Sequence, residues 1–221
     1  MKQKIVKMTF FIVLMALTLV ANTTPPMTLN GVALVTSVKL KEPLYIGGIF
    51  LEKPSNRAYF IMKDQNNQRI ELRIIAEKWS SYNFIRTLRA QVALNSEMAF
   101  SSNPEIQRQI NQLLDSLIKS ALQHINLRKN DIIAFEFSPG KGTTFQFNNT
   151  ELYNAPGKDL FNLLLASWIG KHPPSREIRY GLLGIEVDNN IRDQFLSILP
   201  DVPRRKMIRL LSSSTVSQEG T

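Results

Sequence analysis

The sequence predicts a globular α+β fold. Its composition indicates a core, and the order of its strand and helix patterns indicates the fold class. First, 43% of the 221 residues are hydrophobic, which is enough for a sizeable core. Second, strand patterns come first, helical spacing follows, and a second set of strands precedes the last helices. Strands joined by tight turns pair as antiparallel neighbours, so we expect one antiparallel sheet in an α+β layout.

The first part of the chain is interpreted as four strands, because Val, Leu, Ile and Thr alternate there with polar residues. These strands cover residues 29–40, 44–51, 57–62 and 68–76. The pair Gly47-Gly48 inside the second strand predicts either a bulge or a close approach of backbone or ligand. Residues 64–67 are expected to form a hairpin turn before the fourth strand.

Helical spacing begins at Ser81, and a second helix is expected to start at the capping pair Asn103-Pro104. Its apolar side chains share one face, beginning with Ile106 and Ile110. Short strand patterns return in a second group. This group covers residues 132–137, 143–147 and 151–153, with the turn SPGKG between the first two.

The most apolar helix of the chain is predicted at residues 159–169. Only Asn162 and Ser167 are polar between Leu160 and Ile169, so this helix must be buried on all sides, and it is too short to span a bilayer. Asp159 is the expected N-cap and Gly170 the expected left-handed C-cap. After Pro173-Pro174, Ser175 is expected to cap a second, short helix.

The chain is expected to divide into a signal peptide (1–21), one domain (22–185) and a tail (186–221). Lys2, Lys4 and Lys7 precede the apolar run from Met8 to Val20, which is typical of an export signal; an uncleaved anchor is the alternative. The protein is therefore expected to be exported, either to a periplasm or as a secreted protein. The tail is predicted to be helical over residues 189–199 and disordered at its end.

The net charge of +9 is spread along the chain, and three of the positive charges belong to the signal peptide. Nucleic-acid binding proteins usually concentrate positive charge on one face, so nucleic acid is not an expected partner. The local exception is the basic cluster Arg204-Arg205-Lys206 in the tail, which lies beside apolar residues. It predicts a contact with an envelope protein or with a membrane surface.

The sequence predicts no metal site and no cofactor. Cysteine is absent, which removes disulfides, thiolate catalysis and zinc–sulfur sites. The two histidines, His124 and His172, have no ligand spacing around them. SPGKGTT lacks the full spacing of a phosphate-binding loop and lies between two strands, so it is interpreted as a hairpin.

The candidate ligand-binding residues are polar groups beside apolar ones, together with the glycine pair. Tyr82, Arg86 and Arg89 follow helical spacing and share one face, which is able to receive a carboxylate or phenolate at the mouth of an apolar cavity. A solvent-facing stripe is the alternative. The full set of candidates is Tyr45, Gly47, Gly48, Tyr82, Arg86 and Arg89.

Three motifs occur in an order that resembles the bacterial chalcone isomerase-like family. They are LYIGGIFLE at residues 44–52, the hairpin SPGKGTT, and WIGKHPP followed by LLG at the end of the domain. The resemblance covers Leu29 to Gly184. It implies a large, curved antiparallel sheet with helices on one face, an open-faced β-sandwich with a ligand cleft between its layers.

The same resemblance implies two activities. Catalytic plant members close a chalcone to a flavanone by addition of a phenolate, using an early-strand arginine, a threonine, a tyrosine and a lysine–asparagine helix. Fatty-acid-binding relatives keep the arginine and the tyrosine to hold a carboxylate. This sequence departs from that pattern, because residues 35–37 contain no arginine and Tyr45 takes the place of the threonine. If Tyr82 aligns with the helix tyrosine, Ile85 and Arg89 replace the lysine and the asparagine.

The leading hypothesis is therefore a non-catalytic exported protein that binds a small apolar or acidic ligand such as a fatty acid. Losing the arginine should remove much of the oxyanion stabilisation that the reaction needs. The second hypothesis is an intramolecular isomerase or lyase acting on a chalcone-like enone, with Tyr45 and Arg86 or Arg89. The third is an interaction protein of the cell envelope that docks through its basic tail.

Overall fold

The computed structural model describes residues 25–37, 41–99, 104–119, 126–207 and 209. The predicted signal peptide, Asn103, His124 and the predicted disordered end after residue 209 lie outside these ranges. Among the helices in the described ranges, none has the length and apolar character needed to cross a bilayer.

One six-stranded antiparallel sheet forms the framework, with its strands in sequence order and each strand paired with the next. The strands are β1 (Thr28–Thr36), β2 (Pro43–Leu51), β3 (Gln68–Ile74), β4 (Ile132–Ser138), β5 (Gly142–Phe147) and β6 (Thr150–Ala155). SPGKG is the β4–β5 turn, as predicted. The α+β prediction with a single antiparallel sheet is confirmed.

The helices of the described chain occupy the connections of the sheet and its C-terminal end. They are α1 (Ala58–Lys63), α2 (Ser81–Ala99), α3 (Pro104–Lys119), α4 (Asp159–Ile169), α5 (Arg176–Leu182) and α6 (Asn189–Ser197). A further helical segment covers residues 202–207.

The predicted strand at residues 57–62 is wrong, because these residues form α1. Tyr59 and Phe60 are both exposed and only Ile61 is buried, so the side chains do not alternate as a strand requires. The backbone carbonyls of Ile61 and Asp64 accept hydrogen bonds from the Lys158 ammonium, a cation at the end of the helix where its dipole favours positive charge. Because residues 57–62 are helical and form no strand between them, β2 pairs directly with β3.

Helix α4 is the centre of the core, as its apolar sequence predicts. Nine of its eleven residues are buried, and its side chains pack on Phe135 and Phe137 of β4. Helices α2, α3 and α5 complete the same layer, so a helix that is apolar on all sides is covered on all sides. The predicted core role of Trp168 is confirmed, because its side chain is only 4% exposed.

The ends of α4 differ from the predicted caps. Asp159 is the first residue of the helix, where a carboxylate is favourable, and Lys158 occupies the N-cap position. Gly170 has φ −73° and ψ −157°, which is extended backbone and not a left-handed cap. The cap of α5 is predicted correctly, since the Ser175 hydroxyl accepts a hydrogen bond from the Ile178 amide.

The outer face of the sheet is covered in part by the C-terminal segment. Helices α1 to α5 lie against the inner face, as predicted for a one-sided layer, whereas α6 packs on the outer face of β1 and β2. Phe195 is fully buried there against Val32 and Ile46. Arg73 of β3 stacks over the Phe195 ring at 4.1 Å and donates to the carbonyls of Phe195 and Ile198.

A buried ion pair attaches the next part of the segment to the sheet. The Arg204 guanidinium forms two hydrogen bonds with the Asp131 carboxylate, at 2.6 and 2.8 Å, and a third with the Asn126 carbonyl. The side chains are 8% and 1% exposed. Asn148 also donates to Asp131, so the carboxylate is fully engaged. Breaking such a pair typically costs about 3–5 kcal/mol, because the remaining charge stays buried without a partner.

The two adjacent glycines of β2 provide a matched test of this packing. A methyl group at Gly48 would lie 2.5 Å from the Phe195 ring, whereas one at Gly47 would make ordinary contacts of 3.6 Å or more. We expect Gly48→Ala to lower the free energy of unfolding by about 1–3 kcal/mol, because the packed ring must move. Gly47→Ala should be neutral or stabilising by up to about 1 kcal/mol.

Urea unfolding of the two variants measures the difference. Equal stability of the two would contradict the placement of α6 on the outer face of β2.

Candidate functional site

Tyr45 is a buried polar group that the fold places between the sheet and the helices. It lies on β2, points to the inner face and is 7% exposed. Its hydroxyl oxygen accepts a hydrogen bond from the Trp168 indole N–H at 3.1 Å. Its ring stacks on Trp79, with 5.8 Å between the ring centroids. Tyr45 therefore joins the sheet, α4 and the start of α2.

The hydroxyl of Tyr45 is a neutral hydrogen-bond donor whose proton is available. Burial raises the pKa of Tyr45 from 10 to about 12, although the Trp168 hydrogen bond acts in the opposite direction. In the described part of the chain, the hydroxyl proton itself is given to no acceptor. The site thus offers one uncharged O–H group surrounded by aromatic rings.

The three candidates on α2 lie away from Tyr45. Tyr82 is 72% exposed, and Arg86 and Arg89 are also exposed. The opposite face of the same helix, which includes Phe84 and Leu88, packs into the core. The structure therefore brings these three residues together on a solvent-facing stripe, which is the alternative that the sequence left open, and it does not bring them to Tyr45.

The glycine pair is explained by the protein's own packing. The β1–β2 and β2–β3 registers continue through Gly47 and Gly48, so the predicted bulge is wrong. Of the two predicted explanations, a close approach applies at Gly48, where the approaching group is the Phe195 ring. Gly47 shares the inner face with Tyr45, whose ring is 3.8 Å from the position of a Cβ atom.

The place of the family's early-strand arginine contains no cation. Val35 is buried on the inner face and pairs directly with Tyr45 across β1 and β2. Thr36 and Ser37 follow at the end of the strand. Within the described ranges, no lysine or arginine makes a hydrogen bond or ring contact with Tyr45, so its surroundings are apolar and uncharged.

A second feature is a cavity of about 400 Å³, which lies at the end of the sheet opposite to Tyr45. Phe137, the β4–β5 turn and Lys158 line it. Burial lowers the pKa of Lys158 from 10.5 to about 8. The Lys158 ammonium already donates to the carbonyls of Ile61, Met62 and Asp64, so its role is to cap α1.

Sequence reasoning missed the partners of Tyr45. Trp168 is 123 positions away in the chain, and no local pattern indicates that its indole N–H faces a tyrosine. Trp79 lies just before α2 in a short bridge to Leu127, which also gives no sequence signal. In the described part of the chain, no group of three or more metal-ligating side chains comes together. His172 is exposed, and it contacts Asn95 through its backbone only.

Comparison with known proteins agrees with this architecture. The family model described as "Chalcone isomerase-like" matches residues 15–184, which is more than half of the chain. The chain therefore belongs to the chalcone isomerase-like family, as its motifs predicted. The matched region ends at Gly184, before α6.

Among solved structures, the chain is similar to the fatty-acid binding protein AtFAP1 of Arabidopsis thaliana. The TM-score is 0.53 at 14% sequence identity, over 77% of this chain and 91% of that one. At this identity the likeness shows the fold. The search of curated proteins found no match.

The raised pKa of Tyr45 predicts a pH dependence of stability. Between about pH 10 and pH 12 the tyrosine ionises in the unfolded chain but stays protonated in the folded one, so the free energy of unfolding falls as pH rises. In Tyr45→Phe, the decrease in the free energy of unfolding over this pH range should be smaller by about 2–3 kcal/mol. Denaturant unfolding across this pH range measures it, with Tyr82→Phe as the exposed control. An unchanged slope in Tyr45→Phe would contradict the buried placement.

Proposed function

We propose that this protein is a non-catalytic binding protein for a small, elongated apolar ligand of the fatty-acid class. The observation that carries the proposal is the buried Tyr45 hydroxyl, which has an unused proton and lies between the sheet and the helical layer. Membership of the chalcone isomerase-like family supports it. The fold shared with a fatty-acid binding protein is consistent with it.

The surroundings of Tyr45 support binding rather than catalysis. Proton transfer at neutral pH works best with a group whose pKa is near the working pH, and the pKa of Tyr45 is about 12. Stabilising a phenolate or enolate requires donors or cations aimed at the developing charge. The candidate cations of α2, Arg86 and Arg89, are exposed on its outer side.

The apolar surroundings of Tyr45 also determine whether the polar end group of the ligand is charged or neutral. A carboxylate that is buried without a cation pays a large desolvation cost, so a charged ligand end is unfavourable beside Tyr45. A carbonyl oxygen or a protonated carboxylic acid accepts one hydrogen bond without that cost. The apolar part would lie along the aromatic side chains of Trp79 and Phe84, which contact each other edge to face.

Export to a periplasm or as a secreted protein is the second part of the proposal. The basic start and the apolar run within residues 1–21 support it. We expect the protein isolated from its own host to begin near residue 22, which intact-mass measurement would test. A mass equal to that of the whole chain would favour an uncleaved anchor instead.

Ligand binding near Tyr45 should be visible in tryptophan emission. The chain contains two tryptophans, Trp79 and Trp168, and both contact Tyr45. Titration with a medium-chain fatty acid should therefore give a saturable change in emission. Tyr45→Phe should weaken binding about fivefold, the value of one hydrogen bond. The methyl ester of the same acid should bind at least as tightly at neutral pH, because it carries no charge.

Tyr153→Phe is the matched control. Tyr153 is half-buried on β6, four strands from β2 and Tyr45 in the sheet order, and its hydroxyl donates to the Gln109 carbonyl at 3.3 Å. We expect this variant to bind like the wild type. Equal affinities of wild type and Tyr45→Phe, or binding with unchanged tryptophan emission, would place the ligand elsewhere.

A further inference from the structure

Trp168 determines the direction in which the Tyr45 hydroxyl acts. The Trp168 indole N–H donates to the Tyr45 oxygen at 3.1 Å, and an indole nitrogen is a donor only. The phenolic oxygen carries a proton of its own, and the two hydrogens repel each other, so the Tyr45 proton points away from Trp168. A ligand group that donates to the Tyr45 oxygen would compete with Trp168. Towards a ligand, Tyr45 therefore acts as a donor and is blocked as an acceptor.

The packing around the two residues holds this hydrogen bond in place. Trp168 is 4% exposed on the buried helix α4, and its ring lies 6.3 Å from that of Phe135 on β4. Tyr45 is 7% exposed, and its ring is stacked on Trp79. Because both rings are fixed by close-packed neighbours, the indole stays at the Tyr45 oxygen throughout the folded state.

The side chains next to Tyr45 provide no second acceptor. Its partners across the sheet are Val35 on β1 and Ile74 on β3, both buried and apolar. Trp79, which covers its ring, has an indole nitrogen that only donates. Over the described ranges, the bond from Trp168 is the one side-chain hydrogen bond that Tyr45 makes. A ligand N–H or O–H at this position would lose its bond to water without replacement, which weakens binding.

We propose that Trp168 makes the site selective for ligands whose polar end is a carbonyl group without a proton, as in an ester, a ketone or an aldehyde. This inference rests on the proposed ligand site at Tyr45. Such a carbonyl accepts the Tyr45 proton and leaves no group unpaired. A protonated carboxylic acid or a primary amide accepts it equally well, but each also carries a proton whose acceptor Trp168 already occupies. Trp168 is thus a positioning residue that acts on the ligand through Tyr45.

Two neutral ligands with the same acyl chain separate the two roles of the hydroxyl. Methyl decanoate offers a carbonyl acceptor and no proton, whereas decanamide offers the same acceptor and an N–H donor. With a free phenolic oxygen, a primary amide forms two hydrogen bonds to one hydroxyl, because it accepts through its carbonyl and donates through its N–H. The Trp168 N–H prevents the second of these bonds, so removing that N–H should favour the amide relative to the ester.

Titration of both ligands against the wild type and two Trp168 variants tests the proposal. Trp168→Phe removes the N–H, and Trp168→benzothienylalanine replaces it by sulfur while keeping the size of the ring. Trp79 stacks on Tyr45 and remains in both variants, so its emission reports binding. In the wild type, methyl decanoate should bind about tenfold more tightly than decanamide. In both variants this ratio of dissociation constants should fall about fivefold, because the amide gains a hydrogen bond.

Two further measurements distinguish positioning from packing. Phe135→Leu removes the ring beside Trp168 and leaves the indole N–H in place, so it should change both affinities and preserve their ratio. The infrared carbonyl band of bound methyl decanoate should lie at lower frequency in the wild type than in Tyr45→Phe, which has no hydroxyl to donate. In Trp168→benzothienylalanine the shift should be smaller than in the wild type, because the Trp168 bond polarises the Tyr45 hydroxyl.

Three results would overturn the inference. Wild-type protein that binds the two ligands equally would show that the site does not exclude a ligand proton. An unchanged ratio in Trp168→benzothienylalanine would remove Trp168 from the selection; in both cases the proposed function would stand, because the ligands still bind. Wild-type protein that binds neither ligand would overturn the inference and the proposed site at Tyr45 together. Thermal unfolding verifies that each variant is folded, and if Trp168→Phe is not, the benzothienylalanine variant decides the outcome.

Discussion

The burial of α4 is the constraint on which the rest of the structure depends. A helix that is apolar on every side cannot lie at a surface, so other elements must surround it. The sheet covers one side through Phe135 and Phe137, and α2, α3 and α5 cover the others. Because Trp168 of α4 reaches Tyr45, the same packing that closes the core also produces the buried hydrogen bond between the Trp168 indole and the Tyr45 hydroxyl.

The outer face of the sheet is stabilised in part by ion pairs between charged side chains. Arg69, Glu71 and Arg73 of β3 point outward and pair with one another, so this face is held by charge networks and is not broadly apolar. The C-terminal segment covers the part near β1 and β2, and it is attached by Arg73 at one point and by Asp131 at another.

Elements with strong local patterns were predictable, whereas elements that depend on distant partners were not. The alternation at β3 and the uniform apolarity of α4 are visible in the sequence, because both reflect one local environment. Residues 57–62 have an apolar strand-like composition, but Lys158 from far along the chain stabilises them as a helix. Arg204 resembled its basic neighbours and proved to be buried. Tyr45 was identified as a candidate, but not its tryptophan partners, since pairing across 123 residues leaves no local trace.

We have proposed that Tyr45 marks a site for an uncharged apolar ligand between the sheet and the helices. Native mass spectrometry of the protein purified from its own host tests this most directly, with Tyr45→Phe measured in parallel. We expect an added mass corresponding to a small lipid-like molecule in the wild type, and a lower occupancy in Tyr45→Phe. A strictly ligand-free wild type, or equal occupancy in both proteins, would contradict it.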